Sequence, residues 1–238
     1  MDFLNSYEDT QRADSYAKLE FPGTYYLAYR DLPEIIGRHV KGRVALDFGC
    51  GTGRSTRFLK QLGFDAIGVD ISATMIAKAH ELDPEGDYRV IADGDFSSLP
   101  AGTFDLVLSV FTFDNIPSIE RRASLFRGLA SLLNPEGVMV CLDSTPEIYV
   151  NEWASFSTQQ FDTNRTARSG DIVRTIMKDV DDRRPVEDIL WTDTDYRRTF
   201  DRAGLDLLAT HKPLGRPTEP YPWISETSIA PWVIYVLG

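Results

Sequence analysis

Cysteine is scarce in this chain, with Cys50 and Cys141 the two examples among 238 residues. Both lie in segments that we interpret as core elements, and two unpaired thiols favour a reducing compartment, the cytoplasm. No apolar run approaches the roughly 20 residues that a membrane helix needs. Residues 1–14 are acidic and polar, with neither the apolar core of a signal peptide nor a basic transit pattern. We therefore expect no membrane span and no targeting segment.

Basic residues are also in deficit, since 25 Lys and Arg stand against 36 Asp and Glu, for a formal net charge of −11. Proteins that bind nucleic acid depend on clustered cations that neutralise phosphates. The short pairs Arg121-Arg122 and Arg197-Arg198 are offset by nearby acids. We therefore expect no nucleic-acid partner, and we predict no metal site.

What the chain does have is a regular alternation of apolar strands with helices. The predicted strands are 43–48, 65–70, 88–92, 104–111 and 138–142. The fourth, FDLVLSVF, is apolar on both faces, which is typical of a strand covered by helices on either side. The alternation predicts an α/β fold with a doubly wound, mostly parallel sheet.

The segments around this alternation have a different character. Residues 1–40 are predicted as an N-terminal helical lid, with helices at 9–20 and 24–40 separated by Pro22-Gly23. Residues 145–191 are predicted as a cap inserted over the carboxyl edge of the sheet, helical over 146–161 and β at 171–178 and 185–191. The ligand-binding core would span 41–144, and 192–238 would complete its sheet. A single domain over 1–238 is therefore expected.

A glycine-rich loop, Gly49-Cys50-Gly51-Thr52-Gly53, follows the first strand and precedes a helix. Ligands of open α/β sheets bind at the carboxyl ends of the strands, and glycines let a ligand approach the backbone without meeting a Cβ. A dinucleotide site needs G-x-G-x-x-G, but Arg54 or Thr56 replaces the third glycine in the two possible frames. Asp47, ahead of the loop, would repel a pyrophosphate and suits a ligand that bears an ammonium group. The loop therefore disfavours a nicotinamide dinucleotide.

The stretch ALDFGCGTGRS resembles the glycine motif of class I S-adenosylmethionine-dependent methyltransferases of the small-molecule group, and the likeness extends over residues 40–145. It implies their Rossmann-like, seven-stranded sheet with an antiparallel last strand. It also implies S-adenosyl-L-methionine as cofactor and S-adenosyl-L-homocysteine as product. Asp47 would face the amino group of the cofactor. The methionine part of the cofactor would lie over Gly49, Cys50, Gly51 and Gly53.

The resemblance implies further cofactor contacts outside the loop. Asp70, at the end of the second strand, would accept hydrogen bonds from the ribose hydroxyls, and Ile71 would pack on the adenine. Ser109, near the end of the fourth strand, would lie beside the sulfonium. Tyr16 and Arg30, in the N-terminal lid, would hold the cofactor's carboxylate.

The segment Gly94-Asp95-Phe96, with Leu99-Pro100 after it, resembles the part of the family that contacts adenine. Asp95 would accept a hydrogen bond from the exocyclic amine, and the backbone of Phe96 would meet the ring. Asp93 is a rival for the role of Asp95, because it lies two residues away.

Aromatic residues near the cap suggest an apolar pocket for a ring-shaped acceptor. The candidates are Phe111, Tyr149, Trp153, Tyr221 and Trp223. The alternative for each of them is that it packs the cap onto the sheet.

No catalytic residue is evident, because methyl transfer from a sulfonium mainly requires a nucleophile that is held close and aligned. Asp114 stands where many small-molecule members of the family carry a histidine, and it either replaces that base or caps the next turn. His211, near a sheet end, is the other candidate.

The sequence thus predicts transfer of a methyl group to an N or O atom of a small, ring-containing metabolite or natural-product intermediate, by a monomer or homodimer. Two alternatives stay open. The protein could use the cofactor for a non-methylating reaction such as cyclisation, or it could methylate a protein or peptide.

Overall fold

A computed structural model describes residues 14, 15 and 17–238 of the chain. The strands of this part are β1 (Val44–Phe48), β2 (Asp65–Asp70), β3 (Asp87–Val90), β4 (Phe104–Val110), β5 (Leu133–Ser144), β6 (Phe156–Ser157), β7 (Ile172–Met177), β8 (Val186–Ile189), β9 (Leu207–His211) and β10 (Trp232–Leu237). The α-helices are α1 (Thr24–Arg30), α2 (Leu32–His39), α3 (Arg54–Gln61), α4 (Ala73–Leu82), α5 (Ile119–Ala130) and α6 (Asp193–Ala203). Short 3-10 turns occupy Phe113–Asn115, Pro146–Tyr149 and Asp162–Thr166. Of the helices described here, none is long and apolar enough to cross a bilayer.

Seven strands form the main sheet in the order β3-β2-β1-β4-β5-β10-β9. β1 to β5 pair in parallel, whereas β10 is antiparallel to both β5 and β9. The fold predicted from the sequence is therefore confirmed, including its antiparallel last strand. The chain leaves β1 on one side to form β2 and returns to its other side as β4, so the carboxyl ends of these strands border a crevice.

Apolar residues of alternate register face two separate cores on the two sides of this sheet. In β1, Ala45 packs into the core that also holds α1 and α2, and Leu46 packs into the core that holds α5 and α6. Both side chains have no exposed surface. A strand buried on both faces needs an uninterrupted apolar run, which explains why β1 and β4 show no alternation of polar and apolar residues.

The helix predicted over 24–40 is in fact two helices, because the chain breaks at Asp31. Pro33 occupies the first turn of α2 and has no amide hydrogen to continue the bonding of α1. Half of the helix predicted at 9–20 lies outside the described residues, and of the described ones 14, 15 and 17 are helical.

The helix predicted over 146–161 is wrong beyond its first turn. After the 3-10 turn at Pro146–Tyr149, the amide of Trp153 donates to the carbonyl of Phe156 at 3.1 Å and closes a turn instead of continuing a helix. The hydroxyl of Thr158 donates to the carbonyl of Asn151 at 3.0 Å. Short polar side chains of this kind compete with helical backbone bonds. The segment then enters β6, which joins β7 and β8 in a three-stranded antiparallel sheet.

A buried glutamate ties three distant segments to one another. Glu226 has no exposed surface, and its Oε1 accepts from the Thr24 hydroxyl and from the Ala154 amide, both at 2.7 Å. Its Oε2 accepts from the amides of Ile224 and Ser225 at 2.8 and 3.1 Å. One carboxylate therefore fixes the start of α1, the segment before β6 and the segment before β10.

Truncating the side chain of Glu226 to a methyl group is expected to destabilise the fold strongly. Glu226→Ala leaves four donors without their acceptor, and we expect the free energy of unfolding to fall by on the order of 3 kcal/mol. Urea denaturation would measure it, with Glu187→Ala, which removes an exposed carboxylate from β8, as the matched control. A fall of less than about 1 kcal/mol would contradict the role of Glu226.

Candidate cofactor site and acceptor pocket

A cavity of about 320 Å³ lies at the carboxyl ends of β1, β2 and β4, where the order of the strands reverses. Its described walls are Tyr29, Phe48, Gly49, Cys50, Gly51, Arg54, Ser55, Asp70, Ile71, Met75, Ile91, Asp93, Val110, Phe111, Thr112, Asn115, Ile116, Pro117, Arg121 and Leu125. The glycine loop that the sequence singles out thus forms one side of this cavity.

The loop between β1 and α3 adopts backbone angles that favour glycine. Gly49 has a φ of +74° and Gly53 one of +80°. A Cβ on Gly49 would lie 2.2 Å from the hydroxyl oxygen of Thr112, and a Cβ on Gly53 would lie 2.6 Å from the ring of Tyr88. The amide of Gly49 donates to the carbonyl of Val69 at 2.8 Å, which ties the loop to β2. Both the backbone and its neighbours therefore exclude a side chain at these two positions.

Asp70 at the end of β2 holds the loop from the other side. Its Oδ2 accepts from the amide of Gly51 at 2.9 Å, and its Oδ1 accepts from the amide of Ser72 at 2.8 Å. Burial raises the pKa of this carboxyl above its ordinary value. Asp70 also lines the cavity, and each carboxylate oxygen keeps a second lone pair for a ligand hydroxyl. The ribose contact predicted for it suits this geometry and stays a prediction.

Asp47, in β1, contacts the helix that follows the glycine loop. It is fully buried and is not among the described residues that line the cavity. Its Oδ2 accepts from the hydroxyls of Ser55 and Thr56, both at 2.6 Å, and so fixes the first turn of α3. Its Oδ1 has no hydrogen-bond partner among the described residues. Burial raises the pKa of this carboxyl to about 6.

The two acids that compete for the adenine contact, Asp93 and Asp95, differ in whether they line the cavity. Asp93 and Ile71 line the cavity, whereas Asp95 and Phe96 are not among its described walls. Asp95 is exposed and accepts from the amide of Ser97 at 2.9 Å. The ring of Phe96 packs instead on the ring of Phe48, at 5.9 Å between centroids. The geometry therefore favours Asp93 over Asp95 as the acid beside a bound base.

Two predicted contacts next to the loop differ in their access to the cavity. Cys50 lines it, and burial raises the pKa of its thiol well above the ordinary value, so the neutral thiol predominates. Ser109 of β4 has no exposed surface and is not among the described walls. Its hydroxyl has no hydrogen-bond partner within the described part of the chain.

Of the two residues predicted to hold the carboxylate of the cofactor, the structure describes Arg30. Tyr16 lies outside the described residues. Arg30 pairs with Asp31 and Glu219, both at 2.8 Å, and is not among the described walls. These two ion pairs give the guanidinium a structural role between α1 and the segment before β10.

Arg54 and Arg121 are the cations among the described walls of the cavity, and Arg121 pairs with Asp93 at 2.6 Å, whereas Arg54 lies among aromatic rings. It is 6% exposed, and its guanidinium lies 5.0 Å from the ring centre of Tyr25 and 5.4 Å from that of Tyr29. It also donates to the carbonyl of Glu20 at 2.8 Å. Arg54 is not evident as a site residue from the sequence because these neighbours come from α1 and the segment just before it, 25–34 positions earlier in the chain.

Phe111 follows β4 and has the only positive φ, +58°, of any described non-glycine residue. Its amide donates to the carbonyl of Leu142 at 2.9 Å, and its own carbonyl accepts from the side-chain amide of Asn115 at 3.4 Å. Such a conformation costs energy and persists only where neighbours enforce it. The strain thus marks a backbone held in one position at the edge of the cavity.

A second cavity, of about 50 Å³, lies on the other side of Phe111. Its described walls are Tyr25, Phe111, Asp114, Asn115, Ser144, Ile148, Tyr149, Phe156, Thr175, Met177, Val186, Asp188 and Trp232. Phe111 and Asn115 line both cavities. The smaller cavity, which we call the acceptor pocket, is therefore bounded by the main sheet, α1 and the three-stranded sheet.

Of the aromatic residues predicted to meet a substrate, Phe111 and Tyr149 line the acceptor pocket. Trp153 is fully buried, and its indole donates to the carbonyl of Ile148 at 2.8 Å, so its role is packing. Tyr221 and Trp223 pack on each other with centroids 4.9 Å apart, and neither is among the described walls of the two cavities.

The two candidate catalytic residues, Asp114 and His211, differ in whether they line a cavity. Asp114 lines the acceptor pocket, where its carboxylate accepts from the amide of Ser144 at 3.1 Å and from the hydroxyl of Tyr196 at 3.2 Å. Burial raises the pKa of Asp114. His211 pairs with Ile234 across β9 and β10 and is not among the described walls of either cavity. Elsewhere in the described residues, no three His, Cys, Asp or Glu side chains group as metal ligands do.

The raised pKa of Asp47 predicts a cost to stability that depends on pH. A carboxyl with a folded pKa of about 6, against an ordinary value of 3.8, binds its proton more tightly in the folded state. Stability is therefore lost as the pH rises through 4 to 6. Between pH 5 and 7.5, we expect Asp47→Asn to gain about 1 kcal/mol of unfolding free energy relative to the original chain. Urea denaturation at both pH values measures the difference, and a pH-independent difference would contradict the assignment.

Known proteins resemble the segment of the chain that contains the glycine loop. A family model described as a methyltransferase domain matches residues 46–141. The chain is 35% identical over 105 residues to the 2-methyl-6-phytyl-1,4-hydroquinone methyltransferase of Synechocystis sp., over 43% of this chain and 32% of that protein. It is 35% identical over 102 residues to the cypemycin N-terminal methyltransferase of Streptomyces sp., over 42% of this chain and 41% of that protein. The chain thus spans less than half the length of these relatives.

Solved structures extend the likeness of the fold beyond the matched segment. The CcbJ methyltransferase of Streptomyces caelestis superposes with a TM-score of 0.66 over 98% of this chain and 97% of that one, at 16% sequence identity. At that identity the superposition concerns the fold alone. Residues 46–141 therefore match the sequence of a methyltransferase domain, and they lie within a fold that the chain shares with a solved methyltransferase structure.

Proposed function

We propose that the protein transfers the methyl group of S-adenosylmethionine to a nitrogen or oxygen atom of a small molecule bound in the acceptor pocket. One observation carries the proposal: the two cavities share Phe111 and Asn115. A donor bound in one cavity and an acceptor bound in the other would lie next to each other beside these two residues. Close and oriented approach is the main requirement of a displacement at an activated carbon.

The larger cavity fits the chemistry of the family's cofactor. Its volume of about 320 Å³ lies within the range of small-molecule sites. The cofactor supplies a methyl group that is already activated by a sulfonium. Asp70 and Asp93 offer acceptors for the ribose hydroxyls and the adenine amine, and Arg54 offers a cation for the carboxylate. Ile71 and Met75 offer apolar surface for the base.

The chain's own contribution to the reaction is to position the acceptor and exclude water. The acceptor pocket is lined mostly by apolar and aromatic side chains. Phe111 is fixed through its backbone by Leu142 and Asn115, so the wall between donor and acceptor has little freedom to move. A pocket of this size admits a small headgroup far more readily than a folded peptide chain, which favours a small-molecule acceptor.

The cofactor assignment predicts unequal effects for acids near the cavity. Asp70→Ala removes both the ribose acceptor and the anchor of Gly51, and we expect S-adenosylhomocysteine to bind more weakly by about 1–3 kcal/mol. Asp93→Ala should weaken binding to a smaller extent, whereas Asp95→Ala should leave it within about twofold. Isothermal titration calorimetry measures all three variants. A larger loss for Asp95→Ala than for Asp93→Ala would reverse their assignment.

The reaction itself is tested with methyl-labelled S-adenosylmethionine and a panel of small amines, phenols and alcohols. We expect S-adenosylhomocysteine and a labelled acceptor in equal amounts. Conversion of a panel member without formation of S-adenosylhomocysteine, which leaves the methyl group on the cofactor, would favour a non-methylating reaction. Cofactor binding without turnover of any panel member, but with labelling of an added peptide, would favour a peptide acceptor.

A further inference from the structure

Aromatic rings surround one side of the acceptor pocket. Trp232 lies 4.6 Å from Phe111 and 5.7 Å from Phe156, measured between ring centroids. Tyr25 completes the group, at 5.1 Å from Phe156 and 6.0 Å from Trp232. The faces of such rings carry partial negative charge and attract cations that come within about 6 Å of the ring centre.

The polar side of the same pocket carries acids. Asp114 and Asp188 line it, and no Lys, Arg or His side chain is among its described walls. The hydroxyl of Tyr149 donates to Asp188 at 3.3 Å. The pocket therefore combines aromatic faces with carboxylates and presents no positive charge of its own.

Next to Asp114, the buried side chains carry more negative than positive charge. Asp143 and Arg122 are both fully buried, and Arg122 lies 4.7 and 4.0 Å from the ring centres of Trp191 and Tyr196. Within the described residues, the Arg122 nitrogens and Asp143 Oδ1 have no hydrogen-bond partner. Two carboxyls thus face one guanidinium.

This surplus of negative charge favours the protonated form of the carboxyl pair Asp114 and Asp143. Burial and the charge of Asp114 raise the pKa of Asp143 to about 7, and burial raises that of Asp114. The pair therefore tends to retain a proton near neutral pH. A cation placed beside Asp114 would balance the same surplus of negative charge.

We propose that the acceptor pocket binds the protonated amino group of the methyl acceptor, between the aromatic rings of Tyr25, Phe111 and Trp232 and the carboxylate of Asp114. This inference rests on the proposed function and narrows its acceptor atom to nitrogen. The pocket's volume of about 50 Å³ holds a headgroup of a few heavy atoms, at roughly 10–15 Å³ each. The bound amine then loses its N–H proton to the Asp114 carboxylate, which leaves the nitrogen lone pair free to react.

A matched pair of small probes tests the inference apart from turnover. Pyrrolidine is protonated at pH 7.5, and tetrahydrofuran is its uncharged analogue of the same shape. NMR titration of the full chain, saturated with S-adenosylhomocysteine, measures the dissociation constant of each. We expect pyrrolidine to bind at least about tenfold more tightly than tetrahydrofuran. Equal affinities, or tighter binding of phenol than of pyrrolidine, would overturn the inference.

Variants assign the preference to the pocket. Asp114→Asn should reduce the pyrrolidine preference at least about fivefold and leave tetrahydrofuran unchanged. Asp162→Asn, which removes an exposed carboxylate that is not among the pocket's walls, should change neither. If Asp114→Asn does not fold, Phe111→Leu serves instead, because it removes one of the three rings of the proposed site and keeps apolar volume. An unaltered preference in the folded variant contradicts the inference.

The two proposals fail in different ways. If S-adenosylhomocysteine does not bind to the original chain, the proposed function fails. If it binds and pyrrolidine has no advantage over tetrahydrofuran, the assignment of an amine fails alone, and oxygen acceptors become the choice.

Discussion

The site depends on carboxylates that are buried at strand ends and held by neutral donors. Asp70 accepts from the amide of Gly51, and Asp47 accepts from the hydroxyls of Ser55 and Thr56. These bonds join the end of β2, the glycine loop and the first turn of α3 into one unit. Because three of the five loop residues are glycines, few side chains are available to fix its path. The two carboxylates supply that constraint from outside the loop, and the shape of the cavity follows from it.

Such an arrangement stores unfavourable free energy at the site. Neutral donors offset only part of the cost of burying an anion, and the raised pKa of Asp47 reports the remainder. The positive φ of Phe111 adds backbone strain at the wall between the cavities. By contrast, Glu226 has all four of its donors in place and stabilises the fold. The two buried carboxylates thus differ, since Glu226 is fully satisfied where segments are joined and Asp47 is only partly satisfied beneath the glycine loop.

The sequence predicted the parts of the molecule that local patterns determine. The strands, the glycine loop and the acids at strand ends follow from short runs of residues, and the fold expected from them is confirmed. Arg54 escaped notice because its aromatic neighbours come from α1. Asp93 and Asp95 could not be separated, since two positions along an irregular loop decide which one faces the cavity. The helix predicted after Pro146 failed because aromatic residues spaced by three to five positions also suit an irregular segment whose rings pack inward, as Trp153 and Phe156 do.

The position of Phe111 explains why donor and acceptor sites come together at this wall. β4 brings the chain to the carboxyl edge of the sheet, and the positive φ turns it sharply there, so that one residue contacts both cavities. A regular strand or helix would present successive side chains to one face or the other and would leave a thicker partition. Asn115 holds the carbonyl of Phe111, and Leu142 of the adjacent strand holds its amide. The hydrogen bonds to Leu142 and Asn115 therefore hold Phe111 where it borders both cavities, so its strained backbone keeps the two cavities adjacent.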